Sequence, residues 1–265
     1  AVAATREVVS KIDWPCEVTR IFSDKNLGCQ QRVFSGLNEV FATEPEAIIL
    51  EDDCLPDPSF FNFCEELLER YRDVPRVMQI SGSNFQSGHK RSPDSYYFSM
   101  YPHSWGWATW RDAWKKLDLK LCTYSPQPIG QGWARYFTSE EELAFWTHIL
   151  EPIHKGTETV SAWDYQWTYT CWRENGLCIH PAKNLVENIG FGADATHTEI
   201  IPHAQRAKRH ALKITRHPIV IERNHEADDY TFQAVYQWHE MRWYVRAWSA
   251  LRIFLGRIRR KLLPV

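Results

Sequence analysis

The feature that most constrains the fold is an alternation of two apolar patterns between residues 29 and 82. Residues 29–43 and 60–73 repeat apolar side chains at the spacing of a helix. Beside them, "AIIL" (47–50) and "RVMQISG" (76–82) are short apolar runs, and the first is typical of a strand covered on both faces. Strands and helices that alternate with short links predict an α/β fold with a parallel sheet, in which "AIIL" is a central strand.

The rest of the chain adds less regular elements. The patterns predict helices over 1–12, 139–154 and 161–176, a segment over 104–117 that leads into a helix, and strands over 16–22, 95–100 and 177–181. From about residue 200 onward the composition becomes basic and rich in histidine. We therefore divide the chain into an α/β domain over residues 1–200 and a basic helical extension over residues 201–265.

Composition limits the class of protein. The chain has 265 residues, a formal charge of −2 and 44% hydrophobic residues, which is typical of a globular protein and gives no general attraction to nucleic acid. Its seven cysteines include no C-x-x-C pair, so we expect reduced thiols in a cytosolic protein. The sequence contains no signal peptide and no apolar run long enough to cross a bilayer. Because the first residue is not Met, we expect further residues upstream.

Three consecutive carboxylates, Glu51, Asp52 and Asp53, follow the strand pattern "AIIL". Like charges about 4 Å apart repel by roughly 4 kcal/mol at an effective dielectric near 20. At the carboxyl edge of a parallel sheet, where ligands bind, Mg²⁺ or Mn²⁺ would relieve this repulsion and bridge a diphosphate. The alternative is an acidic surface turn that opens toward Pro56 and Pro58, with the carboxylates separated by water.

Asp164 is the second candidate site residue. In "SAWDYQW" it lies between Trp163 and Tyr165, with Trp167 close by, and an apolar setting raises the pKa of a carboxylate toward values useful to a general base. The alternative is structural, because Ser161-x-x-Asp164 resembles a capping box at the start of a helix. The residues alone leave both interpretations open.

Two further motifs are ambiguous. His197, in "FGADATHTE", is a candidate ligand for a metal or a phosphate, or else a solvated loop histidine. Trp105, Gly106 and Trp107 indicate either a close backbone approach framed by aromatic rings, as at a sugar site, or a tight turn between two core tryptophans.

In this order, these segments resemble the GT-A nucleotide-sugar glycosyltransferases, in particular bacterial family-2-type enzymes that share features with eukaryotic N-acetylglucosaminyltransferase I. The resemblance covers residues 14 to about 200 and implies a three-layer α/β/α sandwich with a mixed, mainly parallel sheet. The family's first strand would precede Ala1, so we expect the sheet to lack it. The matching segments are "NLG" (26–28), "EDD" (51–53), "HSWGWATWRDAW" (103–114), "WDYQW" (163–167) and "CIHP…NIGFG" (178–192).

The resemblance implies an inverting, metal-dependent transfer of sugar from a nucleotide-diphosphate donor to a hydroxyl of a glycan or lipid-linked acceptor, in bacterial surface polysaccharide synthesis. Asp53 would bind Mn²⁺ or Mg²⁺ directly, with His197 as a further candidate, while Glu51 and Asp52 would reach the nucleotide. Asp164 would be the general base. The remaining donor-site residues would be Asn26, Gly28, Arg32, Trp105, Gly106 and Trp107.

Two other functions remain open at this point. A metal-dependent phosphohydrolase or nucleotidyltransferase could use the same carboxylates, although the other predicted strand ends offer only Asp24 as a further acid. A non-catalytic sugar-binding or scaffold protein with this fold is the third possibility.

The C-terminal residues 242–263 combine apolar residues at steps of three or four with seven basic side chains. An amphipathic basic helix of this kind lies in an anionic membrane interface or packs on its own domain. We therefore expect a cytoplasmic protein, with peripheral contact at the inner face of the plasma membrane as a hypothesis.

Overall fold

The structure is a computed structural model that describes residues 2–157, 162–191 and 203–237. Seven α-helices and seven strands lie in these ranges. The helices are α1 (Val2–Val8), α2 (Gly28–Thr43), α3 (Ser59–Tyr71), α4 (Arg111–Trp114), α5 (Glu140–His154), α6 (Asp164–Arg173) and α7 (His225–Thr231). The strands are β1 (Glu46–Ile49), β2 (Cys54–Pro56), β3 (Val77–Ser81), β4 (Tyr96–Ser99), β5 (Trp107–Trp110), β6 (Leu177–Pro181) and β7 (Val186–Asn188). Gly132–Tyr136 and His203–Arg206 form 3-10 turns, and Phe232–Gln237 is π-helical.

The fold is α/β, but its sheet is mixed and mostly antiparallel. Five strands lie in the order β1-β5-β3-β6-β4, and only β3 and β6 form a parallel pair. The expectation of a mainly parallel sheet is therefore wrong. The cause is β5, which lies antiparallel between β1 and β3 although residues 104–117 were expected to lead into a helix. Trp107–Trp110 form this strand, and the helix that follows is limited to the four residues of α4.

The position of β1 also differs from the prediction. It is an outer strand, and no strand of the described residues pairs with its free edge. Ala47 and Ile49 pack on the cluster that contains α2, while Ile48 packs on the main core that contains α3. Both faces of β1 are therefore covered, as "AIIL" predicts, and its side chains are half-buried because the strand lies at the edge.

Three strands of the main sheet nevertheless point the same way. β1 is antiparallel to β5, β5 is antiparallel to β3, and β3 is parallel to β6, so β1, β3 and β6 share one direction. Their carboxyl ends meet at one edge of the sheet, together with the start of β5. The residues that follow these three strands are thereby brought together.

The predicted strand over 16–22 does not form, because this segment has no strand partner in the described structure. It is instead held beside α2 through the Arg32 guanidinium, which donates to the Ile21 carbonyl. The alternation of side chains in this segment is therefore not accompanied by strand pairing in the described structure.

Residues 203–237 pack on the sheet rather than apart from it. Phe232 belongs to the main core, and Asn224 accepts a hydrogen bond from the Ala227 N–H (2.9 Å) at the start of α7. The Asn224 N–H donates to the Phe98 carbonyl of β4 at 2.7 Å. The described part of the predicted extension thus shares the core of the α/β domain. The division near residue 200 stays a prediction, and residues 242–263 lie outside the described residues.

Candidate functional site

The three carboxylates lie in the turn that joins β1 to β2. The Glu51 carbonyl accepts from the Cys54 N–H at 3.1 Å, which closes this turn. β2 then pairs antiparallel with β7, and the Ile189 N–H donates to the Asp53 carbonyl at 2.9 Å. Ile189 and Gly190, which follow β7, are thereby placed directly against Asp53.

Gly190 makes the closest approach to Asp53. A Cβ added to Gly190 would overlap the Asp53 carboxylate and would lie 2.8 Å from the Asp53 Cβ. Real Cβ atoms do not approach other atoms this closely, so only glycine leaves the Asp53 side chain where it is. This position requires glycine for space and not for backbone conformation.

Glu51 is half-buried, Asp53 is half-buried and Asp52 is exposed. The pKa of Glu51 is raised to about 7, first by burial and then by the charges of Asp53, Asp164 and Asp52. Glu51 and Asp53 are therefore partly shielded from solvent, whereas Asp52 is exposed as the alternative of an acidic surface turn expects. Glu51 and Asp164, which are 113 positions apart in the sequence, belong to one electrostatic cluster.

Asp164 is the first residue of α6, and the chain runs from the end of α6 into the start of β6. The N-terminus of α6 thus lies at the edge of the sheet where β1, β3 and β6 end. The Asp164 Oδ1 accepts from the Tyr165 N–H at 3.1 Å, yet burial dominates and raises the pKa of Asp164. Because α6 begins at Asp164 and Trp163 provides no side-chain cap, Asp164 does not take the third helical position that a capping box requires. Ser161 lies outside the described residues.

The start of α2 belongs to the same region. The pKa of the Cys29 thiol is raised by burial and then by the charges of Glu51 and Asp164. The neighbouring Gln30 donates from Nε2 to the Ala162 carbonyl at 2.6 Å. Three chain segments therefore converge here: the start of α2, the turn after β1 and the start of α6. Nothing in the sequence pattern singled out Cys29 or Gln30.

A cavity of about 150 Å³ opens beside Asp164. Its wall includes Trp105, whose ring lies 5.3 Å from the Phe85 ring and 5.4 Å from the Phe191 ring between centroids. Tyr236, from the π-helical segment, also lines it. Trp105 therefore lines a cavity, and its role at a sugar site stays a prediction. Phe85 and Tyr236 carry no local sequence signal that could have found them.

Trp107 does not face this cavity. It is 0% exposed and stacks on Trp163 at 5.5 Å between ring centroids. Trp114 and Trp167 complete a cluster of four tryptophans beneath the start of α6. The prediction that Trp107 borders the donor is therefore wrong, and Trp107 is a residue of the core. Its physical effect is to support Trp163 and, with it, the adjoining Asp164.

Gly106 lies between Trp105 and Trp107 and has a left-handed backbone conformation, with φ +66°. A Cβ on Gly106 would lie 2.6 Å from a methyl group of Val186 in β7. The Gly106 carbonyl accepts a hydrogen bond from the Gly82 N–H at 2.7 Å. Gly106 therefore turns the chain into β5 while admitting β7 to the same edge, which is the close backbone approach predicted from the sequence.

Asn26, Gly28 and Arg32 make local contacts. Asn26 Oδ1 accepts from the Gly28 N–H at 2.8 Å and closes the turn before α2, where Gly28 has φ +72°. Arg32 holds the preceding segment, as described above. These contacts shape the start of α2, and a role for the three residues in binding a nucleotide stays a prediction.

A metal at the acidic turn would need ligands from a substrate as well as from the protein. The described residues contain no group of three or more His, Cys, Asp or Glu side chains arranged to hold a metal ion. Mg²⁺ and related cations are often bound through one or two carboxylates, with phosphates and water as the other ligands. The acidic turn offers carboxylates for that arrangement, and a metal bound by Asp53 stays a prediction. His197, the further candidate ligand, lies outside the described residues.

No known family identifies the chain. A scan of the sequence against models of protein families gives no match, and a search of curated proteins gives none. In the described part of the chain, no helix is both long and apolar enough to cross a bilayer. The functional assignment therefore rests on the geometry of the site.

Proposed function

We propose that the chain is an inverting, metal-dependent glycosyltransferase that moves a sugar from a nucleotide-diphosphate donor to an acceptor hydroxyl. The observation that carries this proposal is that the carboxylates of the acidic turn and the carboxylate of Asp164 belong to one region of the structure. The acidic turn at Glu51 and Asp53 lies within electrostatic reach of Asp164, which in turn lines a cavity with an aromatic wall. A donor group held at the turn and a hydroxyl in the cavity would meet beside Asp164.

Asp164 has the properties of a general base. Its pKa is raised by burial, which makes the carboxylate a stronger acceptor of the proton from a hydroxyl. Removal of that proton lets the hydroxyl oxygen attack the anomeric carbon from the face opposite the leaving nucleotide, so the configuration inverts. The tryptophan cluster beneath α6 holds Trp163, and hence Asp164, in a fixed position.

Asp53 would hold the metal, with Glu51 and Asp52 on the nucleotide side. A bound Mn²⁺ or Mg²⁺ would stabilise the negative charge on the diphosphate leaving group. Gly190 keeps the space that the Asp53 carboxylate occupies. Trp105 presents an aromatic ring to the cavity, and aromatic rings are suited to the apolar faces of sugars.

The neighbouring strand ends favour this proposal over a phosphohydrolase. The three residues after β3 are Gly82, Ser83 and Asn84, and those after β6 are Ala182, Lys183 and Asn184. Neither set contains a carboxylate, whereas two-metal phosphoryl chemistry uses acidic ligands from several chain segments. A sugar-binding protein without catalysis is separated from the enzyme by the Asp164 variant considered in the Discussion.

The test is a thermal-shift screen of nucleotide sugars, with Mn²⁺ and with a chelator in its place. A ligand that binds the folded state raises the melting temperature. We expect at least one nucleotide sugar to do so only when Mn²⁺ is present. If none stabilises the protein under either condition, the proposal is wrong. Turnover would take place in the cytoplasm, where nucleotide sugars are the donors for bacterial surface glycans.

A further inference from the structure

We propose that the cavity beside Asp164 takes an uncharged sugar ring as the acceptor and discriminates against acceptors that carry a carboxylate or phosphate there. This inference rests on the proposed function in one respect, which is that it calls the bound sugar an acceptor. Binding of a sugar ring to the cavity can itself be tested without a donor. It goes further than the proposed function because it names the chemical class that the site selects.

The charge of the wall is the first argument. Among the described residues that line the cavity, Asp164 is the only one with a formal charge, and none is Lys or Arg. A carboxylate or phosphate in the cavity would therefore lie against Asp164 without a compensating Lys or Arg among the described lining residues. Like charges juxtaposed in a binding site weaken binding strongly.

His103 does not supply that cation. It is buried, with its ring 4.5 Å from Phe85 and 4.8 Å from His180 between centroids. Burial, and then the proximity of His180, lower the pKa of His103 well below its ordinary value. The imidazole is thus neutral at physiological pH.

The shape and polarity of the wall are the second argument. The aromatic side chains of Phe85, Trp105, Tyr165 and Tyr236 share the lining with the neutral hydrogen-bonding groups of Ser104, Thr168 and Gln205. Sugar rings combine apolar C–H faces with hydroxyls around the rim, so they match a wall of both kinds. A cavity of about 150 Å³ accommodates a six-membered ring.

The lysines close to this region line a different cavity. That second cavity, of about 380 Å³, includes Lys120, His154 and Lys155, and it does not include Asp164. Cationic side chains are therefore available in this part of the molecule but are absent from the described wall beside Asp164. The two cavities therefore differ in charge. Lysines line the second, whereas Asp164 is the one formally charged side chain among the described residues that line the first.

The experiment compares two ligands that differ in one group. Methyl glucoside and methyl glucuronide have the same ring, and only the second carries a carboxylate. Binding of each to the full chain, without donor, is measured by saturation-transfer NMR, with the methyl glycosides of galactose, mannose and N-acetylglucosamine as further neutral probes. We expect at least one neutral glycoside to bind, and the charged partner of the same ring to bind at least about tenfold more weakly.

Two variants locate the binding. Trp105→Ala should abolish binding of the neutral glycoside, while Trp14→Ala, at a position 62% exposed and outside the cavity, should leave it unchanged. Asp164→Asn should narrow the difference between glucoside and glucuronide, because it removes the repelling charge and keeps the shape. A merely structural role of Asp164 would not change that ratio.

Several results would overturn the inference: no binding by any neutral glycoside, equal or tighter binding of the glucuronide, or binding that survives Trp105→Ala. Its failure is distinguishable from failure of the proposed function. If nucleotide sugars bind with Mn²⁺ but the glucuronide is preferred, only the inference fails. If neutral glycosides bind as expected but no nucleotide sugar does, the ring-binding site stands and the transferase proposal fails.

Discussion

Gly190 lies against the Asp53 side chain so closely that a Cβ at position 190 would be 2.8 Å from the Asp53 Cβ. β2 and β7 enforce this contact, because their pairing fixes the loop after β7 over the acidic turn. The contact ties the conformation of one candidate metal ligand to a residue that has no side chain. It therefore offers a way to move Asp53 without changing its chemistry.

We predict that Gly190→Ala displaces the Asp53 carboxylate and weakens Mn²⁺-dependent binding of a nucleotide sugar. The overlap should also lower the free energy of unfolding by about 1–3 kcal/mol, as overpacking usually does. Thermal shift with and without Mn²⁺ measures the first effect, and urea denaturation measures the second.

The matched control is Gly36→Ala in α2, where an added Cβ has no atom within 4 Å. Glycine within a helix costs roughly 0.5–1 kcal/mol relative to alanine, so this variant should be slightly more stable and should bind donor normally. Equal donor binding by Gly190→Ala and Gly36→Ala would contradict the role assigned to the contact.

The tryptophan cluster predicts a large effect at Trp107. Trp107→Ala removes a fully buried ring that stacks on Trp163, so the free energy of unfolding should fall by about 3–5 kcal/mol. Trp14→Ala, at an exposed position, should change it by less than about 0.5 kcal/mol. Urea denaturation of the two variants checks this, and a small effect at Trp107 would mean that its ring is not part of the core.

Asp228 predicts how stability depends on pH. It is buried in α7 and accepts from Ser99 Oγ at 2.5 Å, but burial outweighs this bond and the nearby Arg223, and raises its pKa from 3.8 to about 7. Between these two values the folded state keeps a proton that the unfolded state has lost. The contribution of Asp228 to stability is therefore full at low pH and is lost as pH rises through about 7, by up to about 1.4 kcal/mol per unit.

Asp228→Asn isolates this contribution, since the amide keeps the shape of the protonated acid. Unfolding free energies of the natural chain and the variant should diverge as pH rises from 5 to 7, in the direction that favours the variant. Parallel curves over that interval would show that Asp228 does not titrate there.

Local pattern predicts most of the elements and little of their arrangement. Helices α2, α3 and α5 and strands β3, β4 and β6 lie within a few residues of their predicted bounds, because each buries a face whose period is visible in the sequence. β5 was missed because Trp107, Trp110 and Trp114 recur at helical spacing, while the antiparallel pairing on both sides of β5 is decided by distant residues.

The residues of the candidate site were likewise predictable only in part. The position of the acidic turn at the sheet edge could be predicted, because residues that follow strands of one direction share an edge. Asp164 begins a helix and follows no strand, so only the resemblance to glycosyltransferases placed it in the same site. Tyr236 and Gln205 could not, since they come from a segment whose composition is polar and basic and whose packing onto the cavity depends on tertiary contacts alone. Trp105 and Trp107 show the limit most directly: they are two positions apart, yet Trp105 lines the cavity and Trp107 is buried in the core.

The most direct test of the account is to measure donor binding and sugar transfer separately in Asp53→Ala and Asp164→Asn. Asp53→Ala should lose Mn²⁺-dependent binding of the nucleotide sugar. Asp164→Asn should bind the donor as the natural chain does while transfer falls by about 10²-fold or more, as loss of a general base requires. If Asp164→Asn transfers sugar at the natural rate, or if Asp53→Ala binds donor with the same dependence on Mn²⁺, the two carboxylates do not have the roles that their positions indicate.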